Sequence, residues 1–215
     1  MKKDLTEVVF ILDKSGSMSG LEKDTIGGFN SLIEKQRKEP GEAIVSTVLF
    51  SDNSTVIHNR MNIKDIPLLT SKEYYVSGCT ALLDAVGNSI NYINKKHNET
   101  NENEVPEKTL FIITTDGQEN ASREFTYKKI KNLIENMKEQ HKWEFIFLGA
   151  NIDTVTEARK FGIDEDNAVS YNCDETGVEL NYECLGEAIS NVRTNKCLSK
   201  SWRTNIDKDV KSRKK

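Results

Sequence analysis

Val8-Val9-Phe10-Ile11-Leu12-Asp13-Lys14-Ser15-Gly16-Ser17 is the stretch on which the reading of this chain turns. Five consecutive apolar residues, mostly β-branched or aromatic, run straight into a carboxylate and a Ser-Gly-Ser loop. A run that short, bounded by turn formers, suits a strand covered on both faces. Strands of that kind belong to parallel sheets with helices on each side. In such sheets the loops leaving the carboxyl ends of the strands form the ligand crevice. Asp13, Ser15 and Ser17 stand in that loop.

Outward from this stretch the pattern repeats. With Leu5–Leu12 as the first strand, Ile44–Phe50 (IVSTVLF), Thr109–Thr115 (TLFIITT) and Trp143–Ala150 (WEFIFLGA) are further β-rich runs, and Ala168–Tyr171 fits a short last strand. Ser54–Met61 (STVIHNRM) is more polar and alternates, as an exposed edge strand does. Segments of helical period lie between them: Leu21–Arg37, Ala81–Lys95, Tyr127–Glu139, Thr154–Phe161 and Val178–Val192. In Ala81–Lys95 the residues Leu82, Ala85, Val86, Ser89, Ile90 and Ile93 fall on one face. Asp153 and Gly162 stand where a cap and a stop for Thr154–Phe161 belong. The alternation predicts an α/β fold, doubly wound, with a mostly parallel central sheet, one antiparallel edge strand and helices on both faces. One domain over 1–206 is expected, followed by a charged tail over 207–215 whose Lys208–Lys215 reads KDVKSRKK. Pro40-Gly41 marks a turn and His97–Glu107 a polar surface loop. Gly27-Gly28, at a helical cost of about 1 kcal/mol each against alanine, reads as a close approach of that helix to the sheet.

Composition narrows the function classes. At 215 residues the chain is long enough to bury roughly 70% of its unfolded surface, so its core needs no staples. A formal net charge of −4 with well-mixed signs argues against nucleic acid as the main ligand. Cys79, Cys173, Cys184 and Cys197 form no C-x-x-C pair, and His58, His97 and His141 are scattered, which argues against a zinc site. Such cysteines fit reduced thiols in the cytoplasm, with Cys79 expected as a small packed residue. The run Val8–Leu12 is too short for a signal segment, and no stretch approaches the ~20 apolar residues of a membrane helix.

Chemistry concentrates in three pieces. Asp13-Lys14-Ser15-Gly16-Ser17 follows the first strand, Thr80 stands in Ser77-Gly78-Cys79-Thr80 ahead of a helix, and Asp116-Gly117 follows Thr109–Thr115. Each has a second reading on its own: the first and last as turns, Thr80 as a helix cap. Together they form a hydroxyl-rich oxygen set with two carboxylates, suited to a hard cation such as Mg²⁺. Asp52 and Glu119-Asn120 either line the rim or build the loops. Asp84 falls on a helix face near the loop.

These three pieces, as FILDKSGSM, GCTALLDAV and ITTDGQEN, resemble in chain order and surrounding sequence the D-x-S-x-S, T and D elements of the metal-ion-dependent adhesion site of von Willebrand factor A domains. The resemblance runs from about Thr6 to Val192. It implies a Rossmann-like fold with a divalent cation, Mg²⁺ or Mn²⁺, held by Asp13, Ser15, Ser17, Thr80 and Asp116. It also implies a protein-binding module rather than an enzyme. Its cation would take a Glu or Asp carboxylate from a protein partner, within an intracellular complex. The competing expectations are a Mg²⁺-dependent phosphohydrolase, suggested by a strand followed by an Asp loop, and a structural subunit that leaves the metal site unused. A phosphohydrolase loop usually carries a second acid where this chain has Ser15.

Overall fold

Strand β1 (Lys2–Asp13) is the axis on which the molecule is assembled. In the computed structural model, which describes residues 1–195 and 197–213, it is followed by α1 (Glu22–Gln36), β2 (Glu42–Phe50), β3 (Ser54–Asn62), α2 (Leu82–Glu99) and β4 (Pro106–Thr115). Then come α3 (Tyr127–His141), β5 (Glu144–Gly149), α4 (Thr154–Phe161), β6 (Ala168–Ser170), α5 (Glu175–Asn195) and α6 (Thr204–Arg213). The sheet order is β3-β2-β1-β4-β5-β6. Every pairing is parallel except β2 with β3, the antiparallel edge that the alternating Ser54–Met61 predicts.

Side chains alternate across a strand, so each central strand feeds two cores. Val8, Phe10 and Leu12 of β1, Leu110 and Ile112 of β4, and Ile146 and Leu148 of β5 bury on one face against α1, α5 and α6. Val9, Ile11, Phe111, Ile113, Phe145 and Phe147 point the other way, against α2, α3 and α4. This two-sided covering explains why these strands read as unbroken apolar runs.

Several expectations are corrected. The segment read as a charged tail, 207–215, belongs through Arg213 to α6, because Trp202 and Ile206 bury on the first core and anchor the helix. Lys214 and Lys215 lie outside the described residues. His97 is not in a loop. It ends the buried stripe of α2, and its Nε2 lies 2.7 Å from Oε2 of Glu7. Glu7 is fully buried in β1 and also takes Arg60 Nε at 2.8 Å, so this interior carboxylate is satisfied from two elements. The Gly27-Gly28 approach is to α5 and not to the sheet. A Cβ on Gly28 would lie 2.2 Å from the Tyr182 ring, whereas one on Gly27 would meet nothing within 4 Å. Cys79 is exposed rather than packed, and all four cysteines are free. Among the described residues no helix is long and apolar enough to cross a membrane.

Candidate metal centre

The chain leaves β1 toward β2 on one side, while β4 lies on the other. The carboxyl ends of β1 and β4 therefore form the topological switch point of the sheet. Leu12 pairs with Thr114, which sets Asp13 and Asp116 side by side although they are 103 positions apart. Asp13 is 1% exposed. Its Oδ1 accepts from the Ser15 amide at 2.7 Å and its Oδ2 from the Thr115 hydroxyl at 2.6 Å. Burial outweighs these hydrogen bonds and pushes the carboxyl up to about 6, and the nearby Asp116 adds to the rise. Asp116 is raised as well, again chiefly by burial.

The hydroxyls gather at the same place. Ser15 Oγ and Ser17 Oγ are 3.0 Å apart, and Ser17 Oγ donates to Asp116 Oδ1 at 2.5 Å. A Cβ built on Gly117 would lie 3.2 Å from Ser17 Oγ and 3.3 Å from Thr80 Oγ1, so those two hydroxyls converge on one point beside Asp116. The lack of a side chain at Gly117 keeps that point open. Oxygens at about 2.0–2.1 Å from an octahedral Mg²⁺ are about 2.9 Å from their neighbours. The Ser15–Ser17 separation matches that edge, so the residues present fit a small hard cation. Among the described residues no three His, Cys, Asp or Glu side chains cluster as a metal group. Any ion here would depend on the hydroxyls.

Backbone contacts hold the three loops in register. Gly16 N donates to Gly78 O at 3.0 Å and Ser77 N to Lys14 O at 2.9 Å, which ties the second loop to the first. Thr80 N donates to Asn120 Oδ1 at 2.9 Å, and Asn120 N donates back to Thr80 O at 3.1 Å, which ties the third to the second. The alternative of Thr80 as a helix cap does not hold, since α2 starts without a side-chain cap from its own segment. Its free amides are met from across the site instead: Leu83 N by Glu119 Oε2 and Asp84 N by Ser122 Oγ. Asp84 in turn accepts from the amides of Arg123, Glu124 and Phe125. Asp52 Oδ1 accepts from Cys79 N at 3.1 Å beside Gly78, whose φ of +76° and contact with Asp52 leave no room for a Cβ. Asp52, Glu119 and Asn120 are thus loop builders. Sequence reasoning missed Thr115, Tyr74, whose hydroxyl donates to Asp13 O at 2.6 Å, and Cys173, whose sulfur lies 3.9 Å from Asp116 Oδ2. None of the three carries a local signal, because each acts across long sequence separations.

Solved structures share this fold at low identity. Proximal thread matrix protein 1 from the mussel byssus, in a form with a zinc-occupied MIDAS motif, superposes with a TM-score of 0.60 at 15% identity over 86% of this chain. The manganese-loaded TRAP protein of Plasmodium vivax gives 0.57 at 14% over 84% of this chain and 73% of its own. The vWF domain of the pilus tip protein Mfa5 from Porphyromonas gingivalis gives 0.63 at 10%, over 86% of this chain and 94% of its own. This chain spans only 46% of the mussel protein, so it corresponds to about half of that relative. No curated protein sequence matches the chain. The model of the von Willebrand factor type A domain matches residues 7–182. With that match covering most of its length and the sheet order and loop geometry above, the chain belongs to the von Willebrand factor type A domain family.

Proposed function

We propose that this domain binds a divalent cation, Mg²⁺ with Mn²⁺ as the alternative, at Asp13, Ser15, Ser17, Thr80 and Asp116, and uses it to bind a protein partner rather than to catalyse a reaction. The observation that carries the reading is the convergence of three hydroxyls and one carboxylate at the switch point, with Asp13 tied beneath them. With three neutral hydroxyls as direct donors and Asp13 set behind them, tied to Ser15 N and Thr115 Oγ1, a doubly charged ion would stay under-neutralised toward solvent. A Glu or Asp side chain from a partner would complete its shell in a charge-assisted contact. The zinc-occupied MIDAS motif of the mussel protein, together with a manganese-loaded Plasmodium protein of the same fold, supports a divalent ion here.

The rim supports binding as well. Tyr75 is 53% exposed on the segment leading to Thr80, and the Lys14 ammonium sits 4.1 Å from its ring centroid. Lys14 is itself buried, so its ammonium holds the ring in place, and the ring offers an incoming segment an apolar face. His58, His97 and His141 are engaged with Thr47, Glu7 and Trp143, away from the site, so none serves there as a base. Exposed free thiols at Cys79 and Cys197 suit a reducing compartment, and we place the domain in the cytoplasm as part of a larger complex.

Isothermal titration with MgCl₂ and MnCl₂ tests the metal, with Ser15→Ala/Ser17→Ala as the control. Mn²⁺ electron paramagnetic resonance before and after adding an acidic peptide tests the open coordination position. Binding lost in the double variant and a spectrum changed by the peptide support the proposal. No binding of either ion at millimolar concentration, or phosphoester turnover that Asp13→Asn abolishes, would sink it.

A further inference from the structure

Asn181 of α5 is 3% exposed, and its Oδ1 has no hydrogen-bond partner in the protein. A buried amide oxygen left alone keeps its full desolvation penalty, so native folds place such groups where something satisfies them. Asn181 lines a cavity of about 10 Å³, which it shares with Asp13, Thr25, Tyr171 and Tyr182. That is the room one water molecule needs, and a buried water is stable where two or more polar groups face it. Here Asn181 Oδ1 and the Thr25 hydroxyl, which likewise has no partner in the protein, supply them, and Asp13 stands on the same wall. An ionised carboxylate accepts about four hydrogen bonds. Asp13 accepts one on each oxygen, from Ser15 N and Thr115 Oγ1, which leaves capacity for an ion above and a donor below.

We infer that this cavity holds one ordered water that bridges Asn181 Oδ1 to the Asp13 carboxylate, which makes Asn181 a positioning residue for the candidate metal centre. The water itself stands on the cavity and the unpartnered amide. Its consequence for metal affinity rests on the proposed cation site. The bridge joins the floor of that site to α5, the helix whose leading segment brings Cys173 to Asp116.

A high-resolution crystal structure of the metal-free protein tests the water directly. Density for a single water between Asn181 and Asp13 is expected. A dry cavity, or an Asn181 amide turned onto a protein atom, overturns the inference. Calorimetric titration of Mg²⁺ tests the coupling with two variants. Asn181→Leu keeps the volume and removes the polar atoms, and about tenfold weaker binding is expected, in line with other partners of metal ligands. Asn181→Thr returns a hydroxyl to the same wall and should recover most of the loss. The melting temperature of metal-free Asn181→Leu should not fall, because a buried polar group has been removed. Equal Mg²⁺ affinity for wild type and Asn181→Leu overturns the coupling. If wild type binds neither Mg²⁺ nor Mn²⁺, the proposed function fails, and the crystallographic water alone then decides this inference.

Discussion

Asp13→Asn asks what the fold gives up to keep an ionised carboxylate at the floor of its site. Burial raises this carboxyl from 3.8 to about 6. At 1.36 kcal/mol per unit, holding it charged at neutral pH therefore costs about 3 kcal/mol. Because the folded value lies above the unfolded one, the group's contribution to stability is fully present below about pH 4. It is lost as the pH rises through about 6. An asparagine carries no such penalty. Its Oδ1 can accept from Ser15 N, and its Nδ2 can donate to Thr115 Oγ1 if that hydroxyl turns to Gly117 O, 3.1 Å away. Some of the gain is offset because an amide accepts hydrogen bonds less strongly than a carboxylate. We expect metal-free Asp13→Asn to be more stable by about 1–3 kcal/mol at neutral pH, a rise of about 5 °C for a domain of this size. At about pH 5 the difference should be about halved, and it should vanish only below about pH 4, where the unfolded chain is protonated as well. Added Mg²⁺ should reverse the order. A hundredfold excess over Kd stabilises wild type by about 2.7 kcal/mol and leaves the variant unmoved. Scanning calorimetry in EDTA and in MgCl₂ at both pH values measures all four terms. A metal-free variant less stable than wild type at neutral pH, or one that keeps the Mg²⁺ response, would refute the reasoning.

Three further outcomes are expected. Gly27→Ala and Gly28→Ala should have opposite signs in urea unfolding. The first meets open space and gains up to about 1 kcal/mol of helix propensity, whereas the second drives a methyl into the Tyr182 ring and loses about 1–3 kcal/mol. Glu7→Gln leaves Arg60 and His97 facing a neutral amide and should cost about 3 kcal/mol, with Mg²⁺ affinity unchanged because Glu7 lies well down β1 from the site. Tyr75→Ala should leave Mg²⁺ titration unaltered while weakening capture of an acidic peptide, since the exposed ring touches Lys14 and not the ligand oxygens.

How much of this was legible depends on the range of the interaction. The strands and five of the helices follow from period and composition, because burial on both faces writes a continuous apolar run into each central strand. Helix α6 was missed because its sequence, TNIDKDVKSR, is half charged and mostly polar, and only Ile206 and the preceding Trp202 tie it to the core. His97 read as a loop residue because nothing local pairs a histidine with a glutamate 90 positions earlier. Gly28 announced a close approach, but its neighbour there, Tyr182, is on another helix.

By itself the sequence determined the fold class and the donor chemistry: a buried strand ending in Asp13, Ser15 and Ser17, with Thr80 and Asp116 at the ends of two later segments. Only the tertiary structure decided that these oxygens meet. Ser17 and Asp116 are 99 positions apart and touch because β4, not β2 alone, pairs with β1. It alone decided that Asn120, Glu119 and Asp52 hold the loops, and that Asn181 and Asp13 line one cavity. The physical reason is that side-chain period is set by each residue's near neighbours along the chain, whereas strand order and the burial of single polar groups are set by how the whole sheet closes its two cores.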